Sequence, residues 1–301
     1  MSFRQKYLLV FLLFFTAFLQ NCSVKKPAEN VKEKVAIVMA DETFKPLCEN
    51  MKMVFENSFK GSTVNIIYTS EANCFKNLTT DSIDVFITGR ALNNNEMLFL
   101  KDSIGNIPNS KQVARDGLTF IVAKNSALNY VSIKKLITWA NNKSEYSLIF
   151  EGLKSTSTLR IFTDSLLNGV LPINNISGAE NAEEVIKKVR SDPSLIGVIG
   201  WQAIGDFNNN AQNKWRNMVK IMPVIDTRGP QRIVFAPNQQ SFYDYTYPLI
   251  RGVYTITKGA PFTVGRNFAA FMANEQGQLI FKRAAIAPII IDFSERKLRT
   301  N

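Results

Sequence analysis

From residue 35 onward the chain alternates short apolar runs with helical patterns, and three successive runs end at a turn that carries a hydroxyl. Val35-Ala-Ile-Val-Met39 reads as a buried strand. Asp41, a natural N-cap, then opens a helix whose apolar stripe is Leu47, Met51, Val54 and Phe55, running to about Phe59 before Gly61. Val64-Asn-Ile-Ile-Tyr68 is followed by Thr69-Ser70-Glu71-Ala72 as a helix entry. Ile83-Asp-Val-Phe-Ile87 is followed by Thr88-Gly89-Arg90-Ala91-Leu92 and a helix from Asn95 to Lys101. Such alternation implies an α/β fold with mainly parallel sheets, whose ligands bind outside the carboxyl ends of the strands. Thr43, Ser70 and Thr88 then share one edge.

A fourth loop is richer in hydroxyls. The apolar run Tyr146–Phe150 leads into Glu151-Gly-Leu-Lys-Ser-Thr-Ser-Thr-Leu-Arg160, after which Leu159, Phe162 and Leu166 recur at helical spacing. A helix N-terminus offers unpaired N–H groups and partial positive charge, so Ser155, Thr156, Ser157 and Thr158 would surround an anion with donors. Taken alone, the loop reads as a cap at Ser155 or Thr156 with solvated neighbours. Three hydroxyl turns facing it favour the anion site.

Arg4 and Lys6 precede the apolar run Tyr7 to Leu19, and Leu19-Gln20-Asn21-Cys22-Ser23 follows. This is the pattern of a signal peptide, being too short for a membrane span. The position of Cys22 resembles the lipobox of bacterial lipoproteins, although Asn21 departs from the usual small residue. The resemblance implies a diacylated, membrane-anchored mature N-terminus at Cys22, with residues 1–21 removed and 22–34 a polar tether. Loss of Arg4 and Lys6 lowers the formal charge from +11 to +9. The basic residues are scattered among acids without interleaved aromatics, so they read as solvated faces that steer a small anion rather than a nucleic-acid surface. The chain has no histidine and no CxxC spacing. The usual zinc ligand sets and Ser-His-Asp or Cys-His catalysis are therefore excluded, and no metal or cofactor is expected. Cys48 and Cys74 either pair or stand as two small buried residues.

Gly117–Lys124 and Tyr247–Ile256 are long β-prone runs that bracket a middle block. Within the block, Ser132-Ile-Lys-Lys-Leu-Ile-Thr-Trp139 starts a helix, Glu183–Val189 is another, and Asp192–Gly200 turns into a buried strand. Asp206–Asn213 reads as loop, and Val264–Phe281 as one helix carrying Phe268, Phe271 and Met272. A block inserted between two shared strands is the pattern of a hinged two-lobe protein.

Six segments in this order, Asp41-Glu-Thr-Phe-Lys-Pro46, Tyr68-Thr-Ser-Glu-Ala72, Ile87-Thr-Gly-Arg-Ala-Leu92, Ser155-Thr-Ser-Thr-Leu-Arg160, Ile196-Gly-Val-Ile-Gly200 and Tyr247–Tyr254, resemble the phosphate-binding proteins of ABC-type phosphate transporters. The similarity runs from about Lys34 to about Asp292. It implies a type II periplasmic-binding-protein fold, with lobe 1 formed by 35–118 and 248–301, lobe 2 by 119–247, and two crossover strands between them. It further implies an anion cleft lined by Thr43, Ser70 and Ser155 to Thr158, to which the shared strand edge adds Thr88. Two positions depart from the family. Arg90 stands where those receptors have an aspartate, and Glu151 or a neighbour where they have an arginine. Arg90 would pair with the oxyanion directly, while Arg160 is either a further ligand or a surface residue.

Enzyme readings are weaker. Ser132-Ile-Lys-Lys135 matches S-x-x-K of penicillin-binding serine enzymes, but no S-D-N or K-T-G partner is present, and Ser132 reads as a helix N-cap. The expected function is a monomeric, non-enzymatic, extracytoplasmic lipoprotein that binds phosphate or a similar oxyanion and delivers it to an ABC permease. The alternatives are an exported binding-fold lipoprotein without a transport role, and a serine hydrolase using Ser132 and Lys135.

Overall fold

The computed structural model describes residues 34–290 apart from 143, 154, 172–174, 228, 230–231 and 259–260. The expected signal peptide, Cys22 and nearly all of the tether lie outside the described residues, as do 291–301. In chain order, β1 (Lys34–Asp41) enters a 3₁₀ turn and helix α1 (Lys45–Ser58), followed by β2 (Ser62–Thr69), α2 (Glu71–Lys76), β3 (Val85–Thr88) and α3 (Asn94–Ile104). The long strand β4 (Asn109–Ala123) leads to β5 (Val131–Ser132), α4 (Ile133–Asn141), β6 (Ser147–Glu151), α5 (Ser157–Leu166), β7 (Ile176–Ala179), α6 (Ala182–Ser191) and β8 (Leu195–Gly200). The remaining elements are α7 (Asn210–Met218), β9 (Val219–Met222), β10 (Val224–Asp226), β11 (Ile233–Phe235), α8 (Gln239–Tyr243), β12 (Ile250–Thr257), α9 (Val264–Ala273), α10 (Glu275–Arg283) and β13 (Ala287–Pro288).

The main sheet runs β2-β1-β3-β12-β4-β8-β6-β7, and β5, β10 and β11 form a small second sheet. β1 is parallel to both β2 and β3, and β6 is parallel to both β7 and β8. The two parallel sets are joined by the antiparallel pair β4 and β12. Along β4 the neighbours change between Gly117, which pairs with Ile250 of β12, and Leu118, which pairs with Gly200 of β8. One continuous strand therefore serves both halves of this two-lobe α/β fold.

Period-two alternation assigns the strand side chains to two faces. Ala36, Val38 and Ala40 of β1 and Val85 and Ile87 of β3 join the large core with Phe44, Leu47, Phe55, Phe268 and Phe271. Met39 and Phe86 point the other way, into a smaller cluster with Cys74, Leu78 and Leu100. A parallel sheet needs both faces covered, and the helices supply the cover. Cys48 and Cys74 are both free and buried, and burial raises both thiols.

Two expected boundaries are corrected. Asn210 to Asn213 is not loop but the start of α7, because the Asn209 side chain accepts from the N–H groups of Ala211 and Gln212 and caps the helix. The span 264–281 is two helices rather than one. Asn274 takes an extended conformation (ψ 175°), ends α9 and caps α10 through the Gly277 N–H. Apolar periodicity carries on across the break, so periodicity alone does not reveal it.

Candidate functional site

The carboxyl ends of β1, β2 and β3 form one edge, and the loop after β6 meets that edge from the other half. Asp41 ends β1 and is fully buried. Its Oδ1 accepts from the Thr43 N–H (2.9 Å) and the Thr43 hydroxyl (2.9 Å), and its Oδ2 accepts from the Ser157 N–H (2.6 Å). Thr156 occupies the N-cap position of α5 but makes no side-chain cap bond; its hydroxyl donates to the Glu151 carbonyl. The carboxylate at the head of α5 is thus supplied by the opposite half, where the helix dipole favours negative charge.

Arg251 lies at the centre. Its Nη1 donates towards three hydroxyl oxygens, Thr43 at 2.9 Å, Ser157 at 3.1 Å and Thr158 at 2.6 Å. Its Nε and Nη2 donate to Asp116 Oδ2 at 3.0 and 2.8 Å, and Nη2 lies 3.5 Å from Glu151 Oε1. Phe44 lies 4.6 Å beneath the guanidinium. Glu151 also accepts from the Thr158 hydroxyl and from the Gly200 N–H, each at 2.7 Å. Gln202 donates its N–H to Asp116 and its side-chain amide to the Thr43 carbonyl. Two carboxylates, Asp116 and Glu151, therefore meet one guanidinium, and a third, Asp41, joins them through the Thr43 hydroxyl. Glu151 is pushed up to about 7, first by burial and then by the charge of Asp116, against the opposing pull of Arg251, Thr158 and Gly200.

A second crossing lies beside the first. Arg160 of α5 donates through Nε to Glu71 of α2 and through Nη2 to its other oxygen. Glu71 in turn accepts from the Gly89 N–H at 2.7 Å, and the Ala72 N–H donates to the Ser155 carbonyl at 3.1 Å. A Cβ at Gly89 would lie 2.5 Å from the Ser157 Cβ. Only glycine allows the third loop to approach α5 this closely. A cavity of about 470 Å³ opens alongside, lined by Thr43, Glu49, Tyr68, Glu151, Asn181 and Trp215 among others.

Of the expected ligand residues, Thr43, Ser157 and Thr158 converge on Arg251. Ser70 caps α2 by accepting from the Asn73 N–H, and Ser155 reaches the same helix through its carbonyl. The Thr88 hydroxyl donates to the Arg90 carbonyl at 2.8 Å. The Arg90 guanidinium is held by both oxygens of Glu96, each at 2.7 Å, and lies 3.6 Å over the Phe75 ring. It is thus committed to α2 and α3 rather than to the hydroxyl cluster. The sequence pattern does not single out Arg251, Asp116 or Glu71. The one available signal is a charged residue, Arg251, inside the otherwise apolar run that ends at Ile256. Among the described residues no group of three or more acidic, Cys or His side chains is arranged to hold a metal, and no helix is long and apolar enough to cross a membrane.

The family model of the PBP superfamily domain matches residues 29–276. No curated protein matches the sequence significantly. Among solved structures, the chain is similar to a substrate-binding protein from Clostridium perfringens, assigned to a phosphate ABC transporter and crystallised with bound phosphate. The TM-score is 0.65 at 15% identity, over 85% of this chain and 99% of that one. An ABC-type phosphate transport receptor from Vibrio cholerae aligns with TM-score 0.62 and 12% identity over 85% and 100% of the two chains. PstS from Borrelia burgdorferi aligns with TM-score 0.53 and 18% identity over 85% and 99%.

Proposed function

The chain belongs to the PBP superfamily, and from that premise we propose that it is an extracytoplasmic solute-binding protein capturing inorganic phosphate or a similar oxyanion between two closing lobes for delivery to an ABC permease. The observation that carries this reading is the convergence of hydroxyls from both halves, Thr43 from one and Ser157 and Thr158 from the other, on a buried arginine at the carboxyl edge of parallel strands. Groups from both sides would satisfy an anion together only in the closed state, so differential affinity would shift the population towards closure. The phosphate bound to the similar Clostridium perfringens protein supports the choice of ligand. The lobes would be 35–118 with 248–301, and 119–247, turning about β4 and β12. A diacyl anchor on Cys22 would hold a monomeric protein to a membrane of the cell envelope.

A second reading, a binding-fold lipoprotein without a transport role, is favoured by the three carboxylates at the junction. They leave the hydroxyl cluster without excess positive charge. Titration calorimetry of the detergent-solubilised chain with phosphate and then sulfate, at neutral and mildly acidic pH, separates the readings. Saturable phosphate binding that is lost in Ser157→Ala combined with Thr43→Ala is expected for capture, whereas no heat with either anion would transfer the assignment to the second reading.

A further inference from the structure

The donors that an oxyanion would need at this junction already have an acceptor. Asp41 holds the N–H at the head of α5, the Thr43 N–H and the Thr43 hydroxyl, drawing on both halves. Arg251 spends its remaining donors on Asp116 and the three hydroxyls. Among the described residues the buried side-chain polar atoms without a partner are Ser110 Oγ, Arg115 Nε, Thr119 Oγ1 and Trp201 Nε1, and none of them belongs to the cluster. The Cβ separation at Gly89 and Ser157 likewise leaves no gap between the third loop and α5.

We propose that Asp41 is an internal latch: its carboxylate bridges the two halves through Ser157 and Thr43 and competes with an incoming oxyanion for those donors. The competing role rests on the anion-binding reading above; the bridging role does not. Two consequences follow from the latch. Anion entry requires Asp41 to let go. The apparent affinity is reduced by the fraction of chains in which the latch is engaged.

Asp41→Asn tests this directly. Asparagine caps as well as aspartate, so its oxygen still serves the Thr43 N–H. Its NH₂ end cannot accept from the Ser157 N–H. Hydrogen exchange on the full chain in detergent, read at the Ser157 and Ala72 amides, should show protection in the wild type without phosphate. In Asp41→Asn, exchange at both amides should be at least about tenfold faster, and inorganic phosphate should bind about tenfold more tightly or better. Unchanged protection in the variant, or phosphate binding no tighter than in a wild type that does bind it, overturns the latch while leaving anion capture intact. Faster exchange in the variant with no phosphate binding by either protein upholds the bridge and overturns anion capture. Ser157→Pro gives an independent route should Asp41→Asn fail to fold. It deletes the donor N–H at the first helical position, where proline is favoured, and Thr156 is already extended as a residue before proline must be. Faster exchange at Ala72 is expected there too, and its absence counts against the latch.

Discussion

Arg251 and Asp116 are register partners on the adjacent antiparallel strands β12 and β4, and neither side chain has any exposed surface. The pair sits one residue before β4 changes its neighbours, so a fully desolvated charge pair marks the crossing between the two halves. Desolvation offsets most of the attraction in such a pair. Its loss from one side only is what costs stability, because a charge is then left buried and uncompensated. The third edge of the guanidinium carries this constraint outward to Thr43, Ser157 and Thr158.

Arg251→Met should accordingly destabilise the chain by about 3–5 kcal/mol, since Asp116 and Glu151 lose their cation. Arg251→Met combined with Asp116→Leu should recover at least half of that loss, because apolar partners of similar volume can replace a buried pair. Urea denaturation midpoints of the two variants decide the matter. A double variant as unstable as the single one would show that the hydroxyl contacts, not the ion pair, dominate.

Gly200 ends β8 directly against this pair. An added Cβ would lie 1.9 Å from Arg251 Nη2 and 2.7 Å from Asp116 Oδ2. Gly200→Ala must push the guanidinium away from Asp116 or break the Gly200 N–H contact to Glu151. A loss of about 2–3 kcal/mol is expected, in the range of overpacked cores. Thermal melts showing wild-type stability would mean that the strand end yields at little cost.

Much of the framework is legible in the sequence because it follows from local periodicity. The runs at Val35, Val64 and Ile83 became strands β1 to β3, and the hydroxyls after them stand on one edge. Arg90 and Asp41 show where local pattern stops being informative. Arg90 was expected in the cleft from its place in a loop, yet Glu96, six residues on, accepts from both of its terminal nitrogens, and one of these also donates to the Ala91 carbonyl. Asp41 does cap the turn that begins at Glu42, as its type suggests, but its second oxygen is used 116 residues later by Ser157. Nothing in the spacing of either residue encodes these partners. The Ser157 contact arises from how β1 and the loop after β6 are brought edge to edge by β4 and β12, and the Glu96 contact from the packing of the loop after β3 against α3.

Ser132 accepts from the Lys135 N–H at 3.1 Å and caps α4, while the Lys135 ammonium lies 5.7 Å from the Trp139 ring. The S-x-x-K spacing is therefore accounted for by helix capping. Ser132→Ala should lower stability by about 1 kcal/mol, the usual cost of losing such a cap, and leave the phosphate isotherm unchanged. Covalent labelling of the wild type, but not the variant, by an acylating β-lactam would instead revive the hydrolase reading.

Glu151 supplies the pH dependence. Burial raises it from an ordinary 4.5 to about 7, so between these values the folded chain keeps a proton that the unfolded chain has released. The folded state binds more protons in that window, and stability must fall as pH rises through it and level off above about 7. At about 1.4 kcal/mol per tenfold change, the full span corresponds to something on the order of 3 kcal/mol. Glu151→Gln keeps an oxygen for the Thr158 hydroxyl and the Gly200 N–H but removes the titration. Urea midpoints compared at about pH 5 and about pH 8 should therefore fall for the wild type and fall distinctly less for the variant. Glu71 and Asp116, which burial also raises, contribute the same sign in both proteins, so the difference between the two slopes reports position 151 together with its coupling to Asp116. Parallel slopes would mean that Arg251 keeps Glu151 ionised throughout. Glu151 would then add a fixed negative charge beside the guanidinium across the window, which would weaken the case for anion capture at that spot.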